Sequence, residues 1–387
     1  MQNLSKMGAL TLLTVACLTI MVGCVIVPGL PSIARQLGVE KASGWLVTLP
    51  SLGVVIFGPL AGRMIDRAGL YRSLCWGLFL YGLLGAGGAF LHGYWAVFAD
   101  RILLGGATAL VMSTGTGLIS SFYHGEQRMG MIAKQGMSIE LGGVVFLFIG
   151  GLLATLGWRW PFSLYLFAWI LLAMVIAYIP RQEAQIQSTQ TGEEKVTTPV
   201  SALRLSYFAA LFSMIVFFTA VIMLPLHFQK IGVSEAQTGY FLSFVSLVAV
   251  FAAWMMPKLV KRLSAFSTLS VAFLFYGVAH LLFAFAPSMA LFVVGAIALG
   301  SGFGFSVPLV NHLVVELSSP ARRGRNLARL SMAIFLGQFL SAFMGYLPGN
   351  SSTIFIATAA IALVVFAIVF GLKDSPAKGH LKPESRG

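Results

Sequence analysis

The chain carries, at residues 58–72, the segment Gly58-Pro-Leu-Ala-Gly62-Arg-Met-Ile-Asp66-Arg-Ala-Gly69-Leu-Tyr-Arg72. Four charged side chains lie within ten consecutive residues of this segment, 63–72. Long apolar runs lie on both sides of the segment. Glycine allows helix ends to approach closely, and arginine favours the cytoplasmic side of a membrane. The segment therefore predicts a short polar loop that joins two membrane-spanning helices on the cytoplasmic side.

The composition supports a membrane protein. Of 387 residues, 58% are hydrophobic and only 10% are charged, whereas a soluble domain carries about 25% charged residues. The net charge of +13 does not indicate a nucleic-acid partner, because the basic residues are spread over short predicted loops. Three cysteines lie in apolar runs without metal-ligand spacing, so we expect neither a disulfide nor a metal site.

The hydropathy pattern predicts an all-α membrane protein with twelve transmembrane helices. A span needs about 20 apolar residues, and twelve such stretches follow one another: 8–31, 44–63, 73–92, 94–120, 131–156, 161–179, 205–228, 236–257, 267–286, 289–315, 327–347 and 352–372. They form an N-terminal six-helix half, residues 1–180, and a C-terminal half, residues 205–372. Between them we expect a flexible cytoplasmic linker at 181–204, and after them a polar tail at 373–387. Lys and Arg concentrate on one side of this arrangement, which predicts a cell inner membrane location with both termini cytoplasmic.

The two halves repeat each other in sequence. Residues 27–39 align without a gap against residues 221–233, at an offset of 194, with matching Val, Leu, Pro, Gly and Val. In the second half, the counterpart of the charged loop is Met256-Pro-Lys-Leu-Val-Lys-Arg262, which keeps the positive charge and has no acid. Two parallel repeats predict pseudo-symmetric halves with a substrate site near mid-membrane between them.

The charged loop resembles a motif of the major facilitator superfamily, Gly-x-x-x-Asp-Arg-x-Gly-x-x-Arg, between the second and third spans. Five residues match it: Gly62, Asp66, Arg67, Gly69 and Arg72. The resemblance implies a major facilitator fold, a monomer in the lipid bilayer, and transport by alternating access. It also implies a conformational switch, in which Asp66 meets the positive end of the eleventh span, predicted to begin near Asn326, through a contact of ~1 kcal/mol.

The sequence contains no ATP-binding loop and no hydrolytic or redox constellation, so we expect a transporter without a cofactor rather than an enzyme. Its partners would be a small-molecule substrate and protons. The favoured function is proton-coupled efflux of a lipophilic drug, metabolite or siderophore-like compound. Two alternatives stay open: a proton-coupled importer of a sugar or organic anion, and a non-transporting sensor or assembly protein.

Residues 146–151 form an exporter-like stretch in the fifth span. They keep the terminal glycines of a motif that resembles the Gly-Pro-x-x-Gly-Gly of export-type superfamily members, and they lack its Gly-Pro. This departure weakens the antiporter interpretation without reversing it.

Ionisable residues inside spans are the candidates for proton coupling, because each is costly in lipid unless it is paired or meets water. Arg101 opens Arg-Ile-Leu-Leu-Gly105, which resembles the Arg-x-x-x-Gly motif of proton-linked members and implies that Arg101 faces the central cavity. Neighbouring helix residues point about 100° apart, so we expect that Asp100 and Arg101 do not reach the same point. An ion pair of Arg101 with Asp100 or Glu140 is the alternative.

Glu140 is the stronger carboxyl candidate. It is predicted to lie about 13 Å inside the fifth span, on a face shared with Gly136 and Gly143. It is either part of a packing stripe or a carboxyl that binds and releases a proton as access alternates.

Three further residues are predicted to line a cavity or act as a hinge: Gly105, Pro308 and Asn311. The last two follow Gly300, Gly302 and Gly304 in the tenth span, so we expect that helix to be interrupted. Close packing without a transport role is an equal alternative.

Overall fold

The computed structural model describes residues 4–181 and 200–372, which form helices and no strand. Long apolar segments become helices because a helix satisfies its own backbone hydrogen bonds in lipid. The α-helices are α1 Lys6–Cys24, α2 Leu30–Gln36, α3 Ser43–Ala68, α4 Leu70–Gly87, α5 Tyr94–Phe122, α6 Gly125–Leu156, α7 Phe167–Tyr178, α8 Val200–Lys230, α9 Glu235–Leu263, α10 Ala265–Phe285, α11 Met289–Glu316, α12 Pro320–Ser341 and α13 Ser351–Leu372. Twelve helical segments of the described chain are long and apolar enough to cross a membrane. The predicted all-α fold with twelve spans is confirmed.

Several predicted boundaries are wrong at the polar ends of spans. α8 begins at Val200, so the end of the predicted linker 181–204 is helical. α12 begins at Pro320 rather than near Asn326. The remaining linker residues 182–199 and the tail 373–387 lie outside the described residues.

The chain divides into two compact units that differ from the predicted halves. Unit 1 consists of Met1–Gln187 and Val221–Leu247, and unit 2 of Ser188–Ala220 and Val248–Gly387. The C-terminal part of α8 and the N-terminal part of α9 therefore pack with the first six spans. The bounds 1–180 and 205–372 for the two six-helix halves remain a prediction.

The internal repeat has a structural counterpart in two matching turns. Gly38 has φ +74 and Gly232 has φ +77, and they are 194 residues apart, the offset of the sequence repeat. After each glycine, the next backbone N–H donates to the carbonyl five residues earlier, at 2.8 and 3.0 Å. This is the Schellman pattern, in which a left-handed residue ends a helix. The equivalence of the two segments is thus present in backbone geometry.

A second pair of equivalent turns joins α3 to α4 and α9 to α10. Gly69 has φ 78 and ψ 164, and Ser264 has φ 77 and ψ 164. The N–H of each turn residue donates to the carbonyl four residues earlier, at 2.9 and 3.0 Å. Here the offset is 195, so Lys261 stands where Asp66 stands in the first half. The second half therefore keeps the turn and has a positive charge at the position of the negative charge in the first half.

The glycine-rich part of α11 is continuous helix, so the predicted interruption is wrong. A Cβ on Gly302 would lie 2.8 Å from the ring of Tyr276, and one on Gly304 would overlap the carbonyl oxygen of Ala249. These glycines allow α10 and α9 to approach α11 closely. They serve packing inside unit 2.

Candidate transport site

The conformational-switch residues lie at the end of α3 and the start of α4, joined by a single turn residue. Gly69 alone makes the turn, because its positive φ suits glycine, so residues 58–68 are helical and not a loop. Asp66 and Arg67 lie on the last turn of α3, and Arg72 on the first turn of α4; all three are exposed. Within unit 1, Asp66 forms no ion pair with a described residue. Gly62 has open space at its Cβ position.

Arg101 is buried in unit 1 with 1% of its surface exposed. Its Nη2 lies 3.1 Å from Oδ2 of Asp100, and its Nη1 donates to the Tyr165 hydroxyl at 3.3 Å. The guanidinium also lies 5.4 Å from the ring centre of Phe162, and a Cβ on Gly88 would overlap it. The expectation that Asp100 and Arg101 cannot reach the same point is wrong, because the long arginine side chain bends back to its neighbour. The guanidinium is enclosed by side chains rather than open to a cavity.

Tyr165 connects this ion pair to the backbone of α1. Its hydroxyl donates to the carbonyl oxygen of Val22 at 2.8 Å. α1 ends at Cys24, so this carbonyl lies in the last turn, where helix carbonyls lack an intrahelical donor. A series of polar contacts therefore connects α5 to the end of α1, through Asp100, Arg101, Tyr165 and Val22.

Glu140 lies near the middle of α6, about 23 Å from the first residue of Gly125–Leu156 at 1.5 Å per residue. α6 begins earlier than the predicted span, so Glu140 lies further from the helix start than predicted, and its depth in the membrane stays a prediction. Its side chain is half-buried, and no described residue forms a hydrogen bond or ion pair with its carboxylate. A Cβ on Gly136 would meet no atom within 4 Å, whereas one on Gly143 would lie 3.0 Å from Ile20. On the helix face of Glu140, the position one turn earlier, Gly136, is therefore open, and the position one turn later, Gly143, is packed.

The two terminal glycines of the exporter-like stretch hold α6 against two other helical segments. A Cβ on Gly150 would lie 2.5 Å from the carbonyl oxygen of Val25, and one on Gly151 would lie 2.8 Å from Cα of Gly239 on α9. A Cβ on Gly239 would lie 2.7 Å from the carbonyl oxygen of Leu147. The backbones of α6 and α9 therefore touch, and any side chain at these positions would separate them.

Hydrogen bonds reinforce this contact between α6, α9 and the segment after α1. The hydroxyl of Ser32 on α2 donates to Oε1 of Glu235, the first residue of α9. Two turns further along α9, the Ser243 hydroxyl donates to the carbonyl oxygen of Val144 at 3.0 Å. We call this set, Ser32, Val144, Gly151, Glu235, Gly239 and Ser243, the α6–α9 contact.

The predicted cavity or hinge residues occupy three different environments. Gly105 is buried where α5 meets α3, and its Cβ would overlap the carbonyl oxygen of Pro50. Pro308 is half-buried inside α11, and the exposed Asn311 donates from Nδ2 to the Val307 carbonyl of its own helix at 2.9 Å. Gly105 belongs to unit 1, and Pro308 and Asn311 belong to unit 2.

Sequence reasoning missed a buried polar cluster in unit 2. The hydroxyl oxygens of Ser213, Tyr276 and Ser306 form a triangle with sides of 2.8, 2.7 and 3.0 Å. Nearby, Nε2 of His280 lies 3.0 Å from the carbonyl oxygen of Val216. Isolated hydroxyl residues in apolar runs do not reveal such a cluster from sequence, because the cluster forms only where particular helices meet.

Comparison with known proteins agrees with this architecture. A family model described as "Major Facilitator Superfamily" matches residues 11–287 and again 266–387. The chain belongs to the Major Facilitator Superfamily. It is also 23% identical over 342 residues to the "Quinolone resistance protein NorA" of Staphylococcus aureus strain MSSA476, covering 82% of this chain and 84% of that protein. This protein is therefore a membrane transporter and not an enzyme.

Solved structures of the superfamily share the fold at low sequence identity. A mutant of the peptide transporter POT in complex with sulfate has a TM-score of 0.78 at 16% identity, covering 96% of this chain and 95% of that one. A D-xylose–proton symporter has a TM-score of 0.76 at 17% identity, covering 95% and 98%. These neighbours carry different cargoes, so the shared fold does not fix the substrate of this superfamily member.

Proposed function

We propose that this superfamily member exports a small lipophilic compound, a drug, metabolite or siderophore-like molecule, in exchange for protons. We place it in the cell inner membrane as a monomer with both termini in the cytoplasm. The single observation that carries the proposal is Glu140, a half-buried carboxyl near the middle of α6 without a described partner. Such a group is costly in a membrane unless it has a functional reason to be there.

Glu140 is the proton carrier in this proposal. A carboxyl that is not committed to a fixed cation can take up a proton from one side and release it to the other as its access alternates. Asp100, by contrast, forms an ion pair with Arg101 at 3.1 Å. This pairing makes Asp100 a poorer proton carrier than Glu140. We assign Arg101 a positioning role, because its buried charge is tied through Tyr165 to the end of α1.

In this proposal, the α6–α9 contact is a gate at one end of the transport path. Gly151 and Gly239 allow the backbones to touch, and the Ser32–Glu235 hydrogen bond joins the same region. Alternating access requires that this contact separate in the other state. The contact is small and partly polar, which suits an interaction that must form and break in each cycle.

Asp66, on the last turn of α3, is the switch in this proposal. Its exposed carboxylate meets the positive N-terminus of α12 in one state and releases it in the other. Gly69 makes the turn after Asp66, and we assign Gly62, Arg67 and Arg72 to the same switch. Cysteine crosslinking of the two states is expected to show a shifted population for Asp66→Asn, and an unchanged population would contradict the switch.

The similarity to NorA supports export over import. That relative is named for quinolone resistance, and a transporter lowers the toxicity of a compound by removing it from the cell. Everted membrane vesicles with an acid interior and a pH-sensitive dye test the direction of transport. Dye recovery when a quinolone or a lipophilic cation is added supports proton-coupled export. Acid-driven uptake of sugars or organic anions into right-side-out vesicles, without such recovery, would establish the importer instead.

A further inference from the structure

Unit 2 contains a cavity of about 370 Å³ between the N-terminal parts of α8 and α12. Six polar residues line it: Arg204 and Tyr207 from α8, and Arg322, Arg325, Asn326 and Arg329 from α12. Its volume lies within the range of small-molecule sites. The basic residues at this end are among those whose distribution predicts the cytoplasmic side. The N-terminus of α12, which the proposed switch assigns as the partner of Asp66, lies beside the cavity.

The four arginines of the cavity have no acidic counterpart among the described residues of their unit. In the described part of unit 2, Glu316 is the only acidic side chain, and it lies 3.5 Å from His312 on the same helix. All four arginines are exposed, so water screens part of their mutual repulsion, and an anion bound between them would remove the rest. The cluster therefore indicates an anionic ligand.

Other donors in the cavity support the same chemistry. The hydroxyl of Tyr207 is buried and has no hydrogen-bond partner among the described residues. The Asn326 amide is fixed by donating to the Ser318 hydroxyl at 2.8 Å. α12 begins at Pro320, so the positive end of a 22-residue helix lies beside the cavity. An acceptor-rich anion would satisfy the tyrosine and the arginines together.

We propose that this cavity binds a phosphate group. Arginine forks match phosphate oxygens in geometry and charge, and basic pockets between transmembrane helices on the cytoplasmic side suit anionic lipid headgroups. The phosphate comes either from the headgroup of phosphatidylglycerol or from a soluble phosphate. In either case the ligand joins the N-terminal parts of α8 and α12, so its binding stabilises unit 2 whether or not the proposed export function holds.

The test uses the full-length protein in nanodiscs of phosphatidylcholine with or without phosphatidylglycerol, and native mass spectrometry to count retained lipids. The cavity variant is Arg325→Gln/Arg329→Gln. The matched control is Lys261→Gln/Arg262→Gln, which removes the same charge from exposed positions at the end of α9. Thermal unfolding in pure phosphatidylcholine shows whether both variants fold as the wild type does. A parallel titration of the detergent-solubilised protein with inorganic phosphate tests the soluble source.

We expect the cavity variant to lose phosphatidylglycerol retention by about tenfold or more, and the control to keep it, because charge-assisted bonds to phosphate are lost only in the former. Stabilisation of the wild type by inorganic phosphate, absent in the cavity variant, would support the site with a soluble ligand. Equal losses in both double variants would overturn the proposal, because retention would then reflect a general basic surface. Absence of both lipid and phosphate binding would overturn it as well.

Discussion

Gly151 on α6 and Gly239 on α9 meet so closely that a Cβ on either residue would lie 2.8 Å from the Cα of the other. Few pairs of helices touch through their backbones unless small residues allow it. This pair lies at the end of the exporter-like stretch and belongs to the α6–α9 contact. The α6–α9 contact is the structural basis of the first two predictions.

Gly151→Ala is expected to lower the free energy of unfolding by about 1–3 kcal/mol, because the added methyl group separates the two backbones. The control is Gly136→Ala on the same helix, where a Cβ would meet no atom within 4 Å. That change is expected to be neutral or to stabilise α6 by about 0.5–1 kcal/mol. Chemical unfolding in detergent micelles measures both, and equal effects at the two positions would contradict the close contact.

Loss of the Ser32–Glu235 hydrogen bond is expected to expose the end of α1. In a protein with Cys17→Ser and Cys75→Ser, only Cys24 remains, and it is 8% exposed. Adding Ser32→Ala should raise its maleimide labelling rate about fivefold, since one hydrogen bond contributes about 1 kcal/mol.

The control for this labelling experiment is Glu40→Ala. Glu40 forms an exposed ion pair with Arg35 at 3.5 Å, and exposed pairs contribute little to stability. Labelling that rises equally in the control, or does not rise with Ser32→Ala, would show that the hydrogen bond does not hold the contact closed.

Tyr165→Phe is expected to destabilise unit 1 by about 1–3 kcal/mol. The change removes the acceptor of the Arg101 donor and the donor to the Val22 carbonyl, and leaves both groups buried. Tyr178→Phe is the matched control, because Tyr178 is 43% exposed and surface changes stay within about 0.5 kcal/mol. Similar unfolding midpoints for the two variants would argue against a buried network around Arg101.

The sequence predicted the number of spans and their order well, because an apolar run of sufficient length has few options in lipid. The ends of spans were harder to predict. α3 continues to Ala68 through three charged residues, since its last turns project beyond the apolar region and one glycine suffices for the turn. Hydropathy measures where the chain stops being apolar, and not where the helix ends.

The candidate site was predicted only in part, because its geometry depends on side-chain reach and on partners distant in sequence. The ion pair of Asp100 and Arg101 contradicts a prediction from helix angles alone. The role of Glu235 could not be read from its position, since its partner Ser32 is 203 residues away. The terminal glycines of the exporter-like stretch were recognised as a motif, whereas the contact of Gly151 with Gly239 was not.

Ser264→Gly is expected to stabilise the protein by about 1 kcal/mol. Ser264 holds φ 77 and ψ 164, a region in which a residue with a side chain stores about 1–3 kcal/mol of strain, and glycine relieves it. The reciprocal change, Gly69→Ser, should destabilise by a similar amount, because Gly69 has nearly the same backbone angles. Unfolding midpoints in one detergent compare the pair, and a loss of stability in Ser264→Gly would contradict the strained turn.

The most direct test of the central claim is proton flux in proteoliposomes. The wild-type protein is reconstituted with a pH-sensitive dye inside, and proton movement is recorded when an outward gradient of a transported compound is imposed. The matched control is Glu316→Gln, which removes an exposed carboxylate of unit 2. We predict that Glu140→Gln abolishes proton movement while compound exchange continues, and that Glu316→Gln leaves both unchanged. Proton movement of wild-type size in Glu140→Gln would contradict the assignment of Glu140 as the proton carrier.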